Sequence, residues 1–385
     1  MAVAGVLVLL SAPAVRAATT SDFALVTASA TTTSSATATA TATDKAQAAY
    51  ARMTRAQRIG QLLMAAVPST GSSSTLRTKL ARYHVGNVVL IGQTEAGTSG
   101  VAAVLAPVRK VSTEAGVLPY IGVDQEGGYV QHLKGSGFST IPTAVHQGGI
   151  APTTLRDDWT RWARQLKRAG VNLDLAPVAD VVPASVGTSN QPIGRYYREY
   201  GYTTTRVSPH VGAVVHGIRA TGISAAAKHF PGLGRASGNT DTMSGVTDPT
   251  RRGDPYLAPF QRAVNAGVRM VMVSTAIYPN IRPHVIGAFS HFIVTRMLRY
   301  DLGFTGVIVS DSLTTQSVAF RNYASRAILG LNAGVDILLV TENAAVGPMT
   351  SAIAQRMKSS TTFATVVKRA VMRVLTAKAS AGLIP

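Results

Sequence analysis

The chain has 385 residues, a formal net charge of +19 from 37 Lys and Arg against 18 Asp and Glu, and no cysteine. The missing thiols exclude disulfides, thiolate metal sites, a Cys nucleophile and lipid attachment at Cys, while the length accommodates one barrel-sized domain. So basic a surface is drawn to polyanions, including anionic cell-wall polymers, but no block of five or more basic residues interleaved with aromatics marks specific nucleic-acid recognition.

In chain order, Val3 to Leu10 form an apolar run too short to span a bilayer, followed by the small-residue stretch Ala12-Pro13-Ala14-Val15-Arg16-Ala17. This is the pattern of a secretory signal over 1–17, although basic residues are missing before it. Residues 27–43 contain only Ala, Ser and Thr. A disordered spacer over 18–48 is therefore expected, leading from a cell wall or membrane to a folded body at 49–385, in a secreted or wall-associated protein.

Thr54 can cap a short helix that leads into the first apolar run. Strands are predicted near 61–66, 87–92, 119–124, 171–178, 223–229, 268–274, 306–311 and 335–340. Nearly all are continuous Val/Ile/Leu/Ala runs rather than alternating ones, as expected when helices cover the sheet. Helical patterns fall between them at 159–169, 206–220, 255–266, 291–300 and 322–333. Eight strands with intervening helices predict a single (β/α)8 barrel, an α/β fold.

Several helix-to-strand joints share one turn, Ala169-Gly170-Val171, Thr221-Gly222-Ile223, Ala266-Gly267-Val268 and Ala333-Gly334-Val335, where Gly suits the left-handed end of a helix. These joints mark the stabilising face of the barrel. The opposite strand ends then carry the chemistry: Asp124, Asp174, Asp180, Lys228, His229, Ser274, Asp311, Thr341 and Glu342. The segment around Lys228-His229-Phe230-Pro231-Gly232 is decisive, since a strand stops there at once and delivers a cation and an imidazole to the rim. Asp124 and Asp311 end two other apolar runs in the same way.

Carboxylates that accept hydroxyl hydrogens, beside Lys, His and Arg that donate, suit a polyhydroxylated ligand. No closely spaced His/Asp cluster of ligand type suggests a metal, and no glycine-rich cradle follows the last two strands to hold phosphate.

The segments GVDQEGGYVQHL (122–133), GVNLDLAPVADV (170–181), KHFPGLG (228–234) and LGFTGVIVSDSL (302–313) together resemble glycoside hydrolase family 3, in its β-N-acetylglucosaminidase branch. The resemblance runs from Met53 to the helix around Arg373 and implies a single catalytic barrel domain. It implies that Asp311 is the nucleophile of a retaining mechanism, and that Asp124, Lys228 and His229 hold the sugar. Arg198 matches a sugar-binding Arg, with Arg195 competing for that place because the loop carries an insertion.

Three positions depart from the family pattern. The Asp-x-His pair expected after the fifth strand reads Asp241-Thr242-Met243, and a thioether cannot move protons. His132 stands where relatives carry a sugar-contacting Arg, and Thr275 where many have His. Three readings remain open: a glycosidase with Asp241 as acid/base, a saccharide-binding protein that lost its proton donor, or a hydrolase of β-glucosides. The first is the expectation adopted, a monomeric β-N-acetylhexosaminidase-like hydrolase of cell-wall-derived saccharides containing N-acetylglucosamine. No cofactor is implied, because carboxylates, water and hydrogen-bond donors suffice for both steps.

Overall fold

The computed structural model describes the backbone of residues 32–385 and side chains from Ala42 onward. The expected signal over 1–17, and the spacer as far as residue 31, lie outside the described residues. The remainder of that expected spacer is helical: α1 spans Thr32–Arg52. Ala42, Ala46 and Ala49 recur at helical spacing and are buried, a smooth small-residue stripe that lets α1 lie against the last helix, α11 (Thr361–Ser380). Alanine suits this segment, since it combines strong helix propensity with a face that packs closely.

The cap at Thr54 forms as expected. Its hydroxyl accepts from the Gln57 amide while the Gln57 side chain accepts from the Thr54 amide, a reciprocal box that starts α2 (Arg55–Gly60). Gln61 caps the far end of that helix, so the first strand begins at 63 rather than 61.

Eight parallel strands follow: β1 Leu63–Pro68, β2 Asn87–Ile91, β3 Tyr120–Val123, β4 Leu173–Asp174, β5 Ser224–Phe230, β6 Met270–Val273, β7 Val307–Ser310 and β8 Leu338–Val340. Each pairs with its sequence neighbours, from Met64 opposite Asn87 round to Val307 opposite Met270. β8 returns to β1, with Leu63 opposite Leu338. Closure between β7 and β8 comes from a bridge at Val309 and Ile337, where the Ser310 amide donates to the Ile337 carbonyl at 2.9 Å. The expected (β/α)8 barrel is therefore the fold, and its strands are almost wholly buried, as their unbroken apolar composition requires.

Helices cover the outside, among them α3 Ser74–Arg82, α4 Gly97–Ser112, the short α5 Ala144–Gln147, α6 Pro152–Arg168, α7 Thr204–Arg219, α8 Ala258–Asn265, α9 Tyr323–Ala333 and α10 Val346–Ser359, while Phe292–Asp301 forms a wider π-type helix. Gly170, Gly222, Gly267 and Gly334 all have φ between +75° and +108°, placing the shared turns on one end of the barrel as expected. At that end Asp336 is fully buried and is held by Arg299 and, at 2.7 Å, by Arg373. The other end carries the cleft.

Candidate active site

Most of the residues named from the sequence reach one cavity of about 460 Å³ at the carboxyl ends of the strands. Asp124, His132, Arg198, Lys228, His229, Asp241 and Asp311 all line it. Segments as far apart as β3 and β7 thus converge on a common pocket, which is where barrels place their chemistry. Other rim candidates sort differently. Asp174, Asp180 and Ser274 are buried behind the wall, Thr341 lines the cavity, and Glu342 accepts a hydrogen bond from the Tyr323 hydroxyl at 2.8 Å.

The floor is an ion network that the sequence reading missed in one member. Lys228, buried at the end of β5, contacts Asp124 and lies 2.6 Å from Glu126. Glu126 in turn takes both arms of Arg198, at 2.8 Å from Nε and 2.7 Å from the terminal nitrogen, while a further Arg198 nitrogen donates to the Pro192 carbonyl at 2.8 Å. Burial opposes ionisation of Glu126, but the Arg198 and Lys228 charges outweigh it and hold the carboxyl far below the usual carboxylate range. Burial likewise opposes the charge on Lys228, and Asp124 and Glu126 reverse that, so its pKa rises. The geometry selects Arg198 over Arg195: the Arg195 side chain is exposed and lies outside the cavity lining. The available signal for Glu126 was its place two residues after Asp124 in a strand-like segment.

Asp174 shows what happens to a carboxyl on the same floor without a cation. It is fully buried, accepts only from the Gln125 amide at 3.2 Å, and leaves its second oxygen unpartnered. Burial raises its pKa well above the usual range, against the Gln125 amide and the Lys228 charge.

His229 is oriented rather than merely present. Its Nδ1 lies 2.8 Å from Asp180, and the same carboxylate accepts from the His229 and Leu233 amides. A carboxylate partner places the proton on Nδ1, which leaves Nε2 as the nitrogen available to a ligand in the cavity. The Lys228–His229 peptide that carries both side chains is cis, as is Phe230–Pro231.

Among the described residues, Asp311 and Asp241 form no ion pair. Asp311 follows β7; its amide donates to the Val273 carbonyl at 2.8 Å and its side chain accepts from the Ser312 amide at 2.8 Å. It therefore caps no helix and its outer oxygen is open to the pocket. Asp241 sits on the loop after β5, held because its backbone carbonyl accepts from the Gln316 amide at 3.2 Å and Thr240 accepts from Ser317 at 3.1 Å. Partial desolvation in the cleft and the neighbouring Asp311 charge raise the Asp241 pKa, against the pull of His229 and Arg198. Met243 is largely exposed and does not line the cavity. Thr275 is buried and accepts from the Ser317 hydroxyl at 2.9 Å, tying the loop after β6 to the loop after β7.

The mouth adds side chains not singled out from the sequence. A small hairpin, Gln125–Gly127 with Val130–Gln131, follows β3. Its turn is pressed against the wall, since a Cβ on Gly128 (φ +55°) would lie 2.5 Å from the Thr143 methyl. That turn presents Tyr129 beside Tyr196, and both line the opening. Gln125 holds the hairpin's return strand through the His132 and Leu133 amides, at 3.0 and 2.9 Å, while the His132 Nδ1 remains buried without a partner.

A closed barrel with a blind polar pocket, sugar-type donors and acceptors on its floor and two free carboxylates on its wall defines a carbohydrate-processing barrel. Comparison with known proteins then assigns the lineage. A family model described as the glycosyl hydrolase family 3 N terminal domain matches residues 54–377. A β-hexosaminidase of Xanthomonas campestris pv. campestris (strain B100) is 31% identical over 307 residues, covering 77% of this chain and 88% of that protein. One from Stenotrophomonas maltophilia (strain K279a) is 30% identical, covering 72% and 83%. Among solved structures, a β-N-acetylhexosaminidase from Beutenbergia cavernae DSM 12333 superposes with a TM-score of 0.83 at 40% identity, over 85% of this chain and 98% of that one. The chain belongs to glycosyl hydrolase family 3. It is a glycosidase that hydrolyses O-glycosyl bonds in carbohydrate substrates.

Proposed function

We propose that this glycosidase is a retaining β-N-acetylhexosaminidase that removes a terminal N-acetylglucosamine residue. The carrying observation is the approach of Asp311 to a pocket whose floor is Asp124, Lys228, His229 and Arg198. In this reading the floor grips the hydroxyls of the terminal sugar, and the Asp311 carboxylate forms a bond to the anomeric carbon as the glycosidic C–O bond breaks. Asp241 gives its proton to the departing oxygen. Water then attacks the anomeric carbon, returns a proton to Asp241 and frees Asp311. The raised pKa of Asp241 supports that role, since a donor must be protonated before the first step.

The choice of N-acetylhexosaminides over glucosides is supported by the names of the relatives described above, which are β-hexosaminidases. Export to the cell wall, where such saccharides arise, belongs to the same reading and is motivated by the apolar segment at 3–10 and the charge of +19. The test is hydrolysis of aryl N-acetylglucosaminide and aryl glucoside, with Asp311→Asn as the blank. The N-acetylglucosaminide should be preferred, and the variant should lose roughly 10³-fold or more in kcat. Equal turnover by Asp311→Asn overturns the nucleophile; preference for the glucoside overturns the substrate.

A further inference from the structure

The described surface carries a cluster of large exposed aromatic rings in which Tyr129 and Tyr196 line the mouth of the cavity and Tyr197 lies against Tyr129. Tyr129, Tyr196 and Tyr197 are 64%, 39% and 40% exposed. Tyr129 stacks on Tyr197 with ring centroids 6.2 Å apart and planes 26° from parallel, and meets Tyr196 edge-on at 6.3 Å. Leaving three such rings in water forfeits the burial that normally drives aromatics inward, so a contiguous cluster of them marks a contact surface.

The protein also maintains this cluster at a conformational cost. Tyr197 has φ +54°, the left-handed region that bulky residues avoid, and it closes a short 3-10 turn at Gly194–Tyr196. The two segments that carry the rings are pinned beneath them by the double contact between Glu126, in the hairpin, and Arg198, in the loop. The platform is thus preformed, and little ordering is required when a ligand arrives.

Its position names the occupant. The ionic floor is sealed from below, with Lys228 and His229 both buried, so a saccharide whose terminal ring rests on Asp124 and Lys228 can leave the pocket only through the mouth. The next ring of that chain emerges beside Tyr129 and Tyr196. A pyranose presents a face of axial C–H bonds, and an aromatic ring presents a face of negative potential; the two stack with little directional demand. We propose that Tyr129, Tyr196 and Tyr197 form a subsite for the sugar ring on the leaving-group side of the scissile bond. The enzyme therefore favours oligosaccharides over substrates with small leaving groups. The inference rests on the cavity being the glycosidase site, and it adds a specificity element that hydrogen bonding to the terminal ring cannot supply.

The test is binding to the Asp311→Asn protein, which retains the platform and does not consume its ligand. The probes are N-acetylglucosamine and N,N′-diacetylchitobiose, or glucose and cellobiose if the hydrolysis assay selects glucosides, so that a wrong terminal sugar and a missing platform give different results. The disaccharide should bind roughly 2- to 12-fold more tightly than the monosaccharide. Tyr129→Ala, and independently Tyr197→Gly, whose residue suits the left-handed backbone, should erase most of that advantage. Tyr129→Phe should restore it, because the stacking face and not the hydroxyl is used. Disaccharide and monosaccharide bound equally by the parent, or an advantage unchanged in both tyrosine variants, would overturn the subsite. So would an equal loss for both sugars, which would show that the rings only brace the loops.

Discussion

Glu126 is the point at which the floor of the pocket can be tested most directly. Glu126→Gln keeps the shape and removes the charge, leaving two buried cations to share one remaining carboxylate. Removing one member of a buried ion pair costs about 3–5 kcal/mol. Lys228 keeps Asp124, whereas Arg198 retains only the Pro192 carbonyl and a weaker amide contact, so the lower end, about 3 kcal/mol, is expected. With an unfolding entropy near 2.1 cal/mol/K for each of about 350 folded residues, that shifts the melting temperature down by about 4 °C. The pH dependence gives a second, independent sign. A carboxyl whose folded pKa is depressed stabilises fully above its unfolded value of 4.5, and that stability is lost as pH falls from there. Scanning calorimetry between about pH 7 and pH 3 should therefore show wild type and variant converging as the solution is acidified. A variant that melts with wild type at neutral pH, or that keeps a constant offset down to pH 3, would refute the charge network as the source of stability.

Asp241→Ala should lower kcat on disaccharides by about 10²- to 10⁴-fold and spare aryl glycosides with good leaving groups far more, as measured across a leaving-group series; equal turnover of both would remove Asp241 from proton transfer. Asp180→Asn releases the proton order on His229 and should reduce kcat/KM roughly 10-fold or more through KM, a loss of one charge-assisted hydrogen bond that steady-state kinetics will detect. Glu199 is buried and its carboxyl is pushed up to about 7 by burial, so the folded state holds a proton that the unfolded chain releases above 4.5. Stability contributed by that group falls as pH rises through this window, and Glu199→Gln should gain up to about 4 °C relative to wild type at pH 8 and little at pH 4 in thermal melts. Thr54→Ala should cost about 1 kcal/mol by opening the reciprocal cap of α2, readable in urea unfolding.

The barrel was legible because parallel strands buried on both faces must be unbroken apolar runs, and the four Gly turns repeat at the helix exits for a backbone reason that no other residue meets as easily. The pocket was legible where a strand ends abruptly in a charged residue, as at Asp124, Lys228 and Asp311. Contacts made across the ring were less so. Glu126 sits in a short hairpin whose burial depends on Arg198, 72 positions later, and nothing local marks the pair. The helical start of the domain was hidden for a different reason: an Ala/Ser/Thr tract has the composition of a spacer, and only the presence of α11 gives its alanine stripe something to pack on. Tyr196 and Tyr197 lay inside the noted loop insertion, but their purpose depends on Tyr129, which approaches only through the fold.

Because β3 and β7 stand on opposite sides of the ring, Asp124 and Asp311 reach the same pocket without sharing a local scaffold. Each half of the molecule holds only part of the pocket: Asp124, His132 and Arg198 come from the first, and Lys228, His229, Asp241 and Asp311 from the second. Two fragments cut near residue 200 should each be inert, and activity recovered on mixing them would report the joining of the β4–β5 and β8–β1 seams, making turnover itself a gauge of complete assembly.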